Sequence, residues 1–269
     1  MIVVCAVGLG LLLYPTVADY WNRTFATHAI STYAEAIEDL DTEQYAEVRE
    51  EAIRYNRELS GHNTGYVLDP AYSEKYQNCL NVTGDGLMGF VEIPRINVQL
   101  PLFHGTSDRV LQSALGHVEW SSLPVGGEGT HCVISGHRGL ASAKLLTDLD
   151  ELREGDTFTM TVLDDILTYE VDQIRTVLPD QVDDLAIDAK KDLCTIVTCT
   201  PYGINTHRLL VRGHRVGTVT NYNVVSEAVV IDPLIVAVVL AMPLLFILLL
   251  AVLLKKPESA KQNVKRRRT

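Results

Sequence analysis

The chain has 269 residues, 47% hydrophobic and 21% charged, which excludes intrinsic disorder, a collagen repeat and a disulfide-dense miniprotein and allows one large domain or two small ones. Its net charge of −11 is unevenly spread: residues 255–269 carry seven Lys/Arg and one Glu, leaving 16 basic against 33 acidic residues, a net of −17, in the rest. A body that acidic repels phosphate backbones, so no nucleic-acid partner is expected.

Residues 1–18 contain no charge, with apolar runs at Ile2-Val3-Val4 and Leu11-Leu12-Leu13. They read as a signal peptide or an N-terminal membrane anchor; no Ala-x-Ala spacing precedes Asp19, which favours an anchor. The next stretch, residues 19–85, is expected to be helical. Ile30, Tyr33, Ala34, Ile37 and Leu40 fall on one helical face, and after a break at Asp41 a second stripe runs through Tyr45, Val48, Ala52 and Leu59. Asp41 and Gln44 have capping-box spacing, and Gly61 is a natural stop. The stripes are too short for a coiled coil, so these helices are expected to pack on the domain that follows.

From Met88 the pattern turns to strands. Runs rich in Val, Ile, Thr and Leu cover 89–93, 98–103, 130–135, 157–163, 166–171, 193–199 and 208–212. Turn signals such as Pro124-Val125-Gly126-Gly127 and Gly155-Asp156 separate them. Short strands at this spacing over residues 86–218 predict one closed barrel or sandwich, mainly β. A linker, 219–232, leads to residues 233–254, a 22-residue uncharged stretch followed directly by Lys255-Lys256. At about 1.5 Å per residue it reaches about 33 Å, enough for a transmembrane helix. The basic tail, 255–269, is then expected on the cytoplasmic side of the plasma membrane, with the acidic body outside.

Five cysteines are too few and too scattered for a disulfide scaffold. Cys5 lies in the first apolar segment. In an exported domain the thiols of Cys79, Cys132, Cys194 and Cys199 need an explanation. Cys199 ends a β-branched run just before Thr200-Pro201, so it sits where the chain leaves a sheet; Cys194, in mid-strand, does not. A buried structural cysteine is the commoner outcome for such a residue. A nucleophile needs activation, because at a reference pKa of about 8.5 only a few per cent is thiolate at pH 7. Among eight histidines, His137 is placed best: it follows the apolar run 130–135 and is flanked by Gly136 and Gly139 in a turn. Arg208 opens a strand nine residues after Cys199, and if that strand folds back its guanidinium returns to the same rim, where it can meet an oxyanion. A solvated strand-end charge is the alternative for Arg208.

The run Thr198-Cys199-Thr200-Pro201-Tyr202-Gly203-Ile204-Asn205-Thr206-His207-Arg208-Leu209-Leu210-Val211-Arg212-Gly213 resembles the active-site signature of the sortases in its class C, pilus-polymerising form. Ser135-Gly136-His137-Arg138-Gly139-Leu140 is similar to that family's histidine motif. Ile93-Pro94-Arg95-Ile96 and Leu100-Pro101-Leu102-Phe103-His104-Gly105-Thr106 match its early strands. The resemblance covers roughly residues 86–216. It implies a closed eight-stranded β-barrel with N-terminal helices and a C-terminal transmembrane helix. It also implies a cysteine transpeptidase: Cys199 attacks the Thr–Gly bond of an LPXTG-type signal on a pilin subunit, His137 protonates the leaving amine, and Arg208 holds substrate and oxyanion. A lysine of another pilin is the implied acceptor. No cofactor and no metal is expected.

The same resemblance implies a lid formed by an Asp-Pro-aromatic motif. Here the matching residues are Asp69-Pro70-Ala71-Tyr72, with the aromatic displaced by one, so either Tyr72 takes its place through a shifted loop or the thiol is less shielded; Asp69 is expected to clamp Arg208, and Tyr72, beyond Ala71, to cover Cys199 in part. Cys132 and Cys194 each precede an active-site residue by five positions. If their strands are parallel neighbours, as in sortases, they should lie side by side as core thiols rather than a disulfide. Asn81-Val82-Thr83 matches a glycosylation sequon but carries no weight, and the acidic run 180–184 is expected to be a solvated loop. The competing readings are a sortase anchoring proteins to cell-wall precursor, a papain-type protease, whose cysteine would precede its histidine, and a non-enzymatic membrane-tethered ectodomain.

Overall fold

The break between the two N-terminal helices is set by local chemistry. In the computed structural model, which describes residues 2–61, 66–67 and 70–220, helix α1 (Ile2–Glu38) and helix α2 (Thr42–Gly61) meet at Asp41. Asp41 Oδ1 accepts from the amides of Glu43 and Gln44 at 2.9 and 2.8 Å, and Gln44 Oε1 accepts from the Asp41 amide at 3.1 Å. This is the reciprocal capping box expected from the sequence, and it satisfies donors that a helix N-terminus leaves open. Helix α1 runs without a break from Ile2 through the rest of the first apolar segment, and its Leu11, Leu12, Val17 and Trp21 are largely exposed. Among the described residues no helix is long and apolar enough to cross a membrane. The span expected at 233–254 and the tail after it lie outside the described residues.

Both helices dock through their apolar stripes, with buried polar atoms fixing the position. Ile30 and Tyr33 of α1 pack against Leu87 and Phe90. The Tyr33 hydroxyl donates to Met88 O at 2.8 Å and accepts from the Leu163 amide at 2.7 Å. Ala52, Tyr55 and Leu59 of α2 enter the main core, and the buried Asn56 amide pairs both backbone groups of Leu123, at 3.0 and 2.7 Å. A further helix, α3 (Pro70–Asn78), was not signalled by periodicity. It is held by Tyr76, whose hydroxyl accepts from the Gly105 amide and lies 3.0 Å from His117 Nδ1. His117 Nε2 lies 2.8 Å from Ser122 O, so the neutral ring satisfies both contacts by accepting at Nδ1 and donating at Nε2.

Eight strands follow: β1 (Leu87–Ile93), β2 (Val98–His104), β3 (Leu115–His117), β4 (Thr130–Ser135), β5 (Thr157–Val162), β6 (Asp165–Val177), β7 (Asp192–Thr200) and β8 (His207–Thr220). A one-turn helix, α4 (Asp108–Leu111), leads into β3. The sheet closes as a barrel in the order β1-β2-β3-β4-β7-β8-β6-β5. The β2/β3 and β4/β7 pairs are parallel and the remaining ladders antiparallel. The expected strand runs all appear. Two extend further: β6 and β8 pair from Asp165↔Thr220 to Val177↔Arg208, through exposed polar residues such as Arg175 and Thr176 that ladder hydrogen bonds, not burial, keep extended. Three-residue β3 is too short to show a period. Cys132 and Cys194 are Cα partners across β4 and β7, both buried as free thiols, and burial pushes the Cys132 thiol well above its ordinary value.

Two outcomes follow for stability. Tyr33→Phe strands the Leu163 amide and the Met88 carbonyl and should cost about 1–3 kcal/mol, read as a lower midpoint in denaturant; an unchanged midpoint would mean that this hydroxyl does not secure α1. Burial holds His117 to about 4, below the unfolded value of about 6.5. The unfolded chain therefore binds the extra proton, and stability present above pH 6.5 is lost as pH falls toward 4, by roughly 3 kcal/mol for this group. Chemical denaturation across that range should show the loss, with a shallower slope in His117→Gln.

Candidate active site

The face on which a strand residue lies follows from its parity. In β4 and β7 the even positions Cys132, Ile134, Cys194 and Ile196 fill the barrel interior. The odd positions Val133 and Val197 join a separate cluster with Leu185 and Leu210 outside it. Cys199, in phase with Val197, therefore faces outward from the barrel, and Arg208, in phase with Leu210, faces the same side from β8. Cys199 and Arg208 are direct Cα partners in the β7/β8 ladder. The return that the sequence left conditional thus takes place, through the turn in which Pro201 O accepts from the amides of Ile204 and Asn205 at 3.0 Å each.

His137 reaches the same rim from the other side. Ser135 of β4 pairs with Val197 of β7 in parallel register, and His137 and Cys199 each stand two residues beyond that pair. The ladder runs one step further: the Gly136 amide donates to Val197 O at 3.1 Å, and Thr198 Oγ1 donates to Gly136 O at 2.8 Å. Gly139, at φ +78°, then turns the chain so closely beneath Tyr202 that a Cβ there would meet the ring at 3.2 Å. The loop after it is tied to α1, where Asn22 Nδ2 donates to Ser142 O at 2.6 Å and Asp19 Oδ1 accepts from the Lys144 amide at 2.9 Å.

Arg208 donates through Nη1 to Asn205 O and His207 O, at 3.3 and 3.1 Å. It lines a groove of about 170 Å³ together with Val133, Val197, Leu210, Trp120 and Leu185. An apolar floor ending in a guanidinium suits an extended peptide whose carbonyl is brought to a thiol at the strand end. Cys199 is half-buried, whereas Cys79, Cys132 and Cys194 are buried; burial raises the Cys79 thiol to about 12. Of Cys79, Cys132, Cys194 and Cys199, the last alone has both access and a cation as its cross-strand neighbour.

The other histidines have different duties. His104 and His117 are buried beside α3. His131 is enclosed between Ala186 O and Thr195 Oγ1 at 2.9 and 2.7 Å, and burial lowers its basicity. His28 is exposed on α1, His207 touches its neighbour Thr206, and His214 faces Asp172. His62 lies outside the described residues.

Of the lid residues, Asp69 lies outside the described residues, and Ala71 is placed only as the second residue of α3. Tyr72 packs edge-on to Tyr55 of α2, ring centroids 6.3 Å apart, against the main core. Tyr66 instead meets Trp120, a groove residue, edge-to-face at 5.2 Å. Sequence reasoning missed Tyr66 and Trp120: neither falls in a periodic run, and only the rarity of Trp pointed to the latter. The acidic run 180–184 is more than a solvated loop. Asp184 pairs with Arg175, and Val182 beside it packs with the groove cluster. Among the described residues no group of side chains could hold a metal ion.

The sortase-domain family model matches residues 91–216. Sortase C1 of Streptococcus agalactiae is 47% identical, with a TM-score of 0.69 over 71% of this chain and 98% of that one. A Clostridium perfringens sortase C solved with the C-terminal cell wall sorting motif is 41% identical, with a TM-score of 0.63 over 71% of this chain and 100% of that one. Sortase D of Bacillus subtilis is 30% identical over 131 residues, 48% of this chain. The chain spans 63% and 61% of the first two curated relatives it matches, this sortase D and sortase A of Bacillus anthracis. With the barrel, the strand-end thiol and its cross-strand arginine in place, and with a near-complete overlap on a sortase C structure, this chain belongs to the sortase family.

Proposed function

We propose that this protein is a cysteine transpeptidase of the class C type, which cleaves an LPXTG-type sorting signal between Thr and Gly and joins the freed carboxyl group to a lysine of another pilin subunit. The observation that carries this reading is the direct cross-strand pairing of Cys199 with Arg208, with His137 at the matching height beyond β4. The Clostridium perfringens sortase C crystallised with a sorting motif supports the substrate class.

The steps follow from the chemistry of the three groups. The thiolate of Cys199 attacks the threonine carbonyl carbon, and the Arg208 guanidinium stabilises the negative charge that develops on its oxygen. The C–N bond breaks as the His137 imidazolium gives its proton to the leaving glycine amine. The threonine is left as a thioester on Cys199. A neutral lysine amine then attacks that carbonyl, neutral His137 takes the amine proton, the C–S bond breaks, and an isopeptide bond and the thiolate result.

In this reading the acidic body works outside the plasma membrane, held by the apolar span at 233–254 with the basic tail inside. The exposed apolar residues of α1, Leu11, Leu12, Tyr14, Val17 and Trp21, add a second membrane contact, with Tyr14 and Trp21 suited to the interface.

Incubation with an LPXTG peptide and a lysine-bearing peptide should yield an amine-dependent ligation product, and mass spectrometry should find the thioacyl adduct on Cys199. Cys199→Ala should abolish both; product in that variant would refute the assignment. Arg208→Gln should lower kcat by about 10²–10³-fold, the typical loss of one oxyanion donor, with a smaller change in KM. An effect confined to KM would make Arg208 a binding residue only.

A further inference from the structure

Beyond the bond from the Gly136 amide to Val197 O the β4/β7 ladder ends, yet the reaction requires that His137 and Cys199 keep a fixed separation. Glycines flank the imidazole, and Cys199 stands one residue from the strand end. The residue after each is where the two chains are tied together. Arg138 Nη1 lies 3.3 Å from Thr200 Oγ1, its acceptor, and Arg138 Nη2 donates to Asp150 Oδ2 at 2.5 Å. Its side chain is 8% exposed, against 51% for Asp150, and its buried Nε has no hydrogen-bond partner among the described residues. A guanidinium kept this far from water with one donor unsatisfied is costly, and a surface ion pair alone does not explain it.

We infer that Arg138 is a positioning residue of the reaction: by bridging Thr200 and Asp150 it holds His137, on one strand end, at working distance from Cys199, on the other. Its planar fork suits the task, because two donors leave it in fixed directions, toward β7 and toward the short helical turn Leu149–Glu151. A lysine ammonium has no such geometry. Being buried, Arg138 does not meet substrate; it acts through the residues on either side of the bond it spans. The Tyr202 ring over Gly139 closes the same gap a few ångströms further along, so the link has one polar and one apolar member.

This inference rests on the transpeptidase reading, and the test separates the two. In the full-length protein, the alkylation rate of Cys199 by iodoacetamide, read by mass spectrometry of its peptide, reports the thiol and its imidazole without any sorting signal. We expect Arg138→Gln to lower that rate at least fivefold toward the rate of His137→Ala, and Arg138→Lys to rescue it only partly. The double variant should be no slower than His137→Ala alone, since Arg138 acts through the pair. Thr200→Val, which removes one acceptor and little else, should give a smaller loss of the same kind. In ligation assays Arg138→Gln should lower kcat with KM within twofold. Equal losses in the parent and His137→Ala backgrounds, or a folded Arg138→Gln and Thr200→Val that both react at the parent rate, would overturn the inference while leaving the transpeptidase reading intact. A parent that is readily alkylated on Cys199 yet forms no thioacyl adduct would overturn that reading alone.

Discussion

The site depends on strand register. β7 is hydrogen-bonded on one side to β4 in parallel and on the other to β8 in antiparallel, and those two ladders set which face each residue takes. A slip of one residue would turn Cys199 into the barrel and bring Cys194 or Thr198 out in its place. What prevents the slip is the core: Cys132, Ile134, Cys194 and Ile196 on the inner face and Val133 and Val197 on the outer one are sorted by burial. The same parity that buries one pair of thiols leaves Cys199 accessible, so the buried and the accessible cysteines are two consequences of one alignment.

Around that register the protein places a second set of restraints, most of them polar and buried. Tyr33, Asn56 and Tyr76 each pin a helix to the body of the barrel through two contacts. These bonds add modestly to net stability, but losing any one partner leaves a buried group unsatisfied. They therefore act mainly as position markers. Asp19 and Asn22 carry the marking as far as the loop behind His137, so the N-terminal helix, whose Leu11, Leu12 and Val17 stand exposed, is mechanically continuous with that loop.

The groove and the thiol have different owners. Hydrophobic residues of β4, β7 and β8 form its floor, but Trp120 and Leu185 come from connections, which is where substrate preference can vary without disturbing the barrel. Tyr66 touches Trp120 and so stands at that same surface, and Tyr72 packs with Tyr55 of α2.

Much of this was legible from the residues in order. Hydrophobic periodicity identified α2, the polar half of α1 and seven strands, because burial of one face leaves a trace at period 3.6 or 2. The capping box at Asp41 and Gln44 is local, and so was visible. The position of Cys199 before Thr200-Pro201 also marked a strand end. Tertiary structure alone decided the rest. Periodicity says that a strand has a buried face but not which strand lies beside it, so the pairing of Cys199 with Arg208, and of Cys132 with Cys194, required the closed barrel. The exposed-looking charge of Arg138 became a buried bridge only when residues 62 positions apart met. His104, His117 and His131 became structural because neighbours distant in sequence enclosed them, and desolvation is a property of the folded volume, not of the chain.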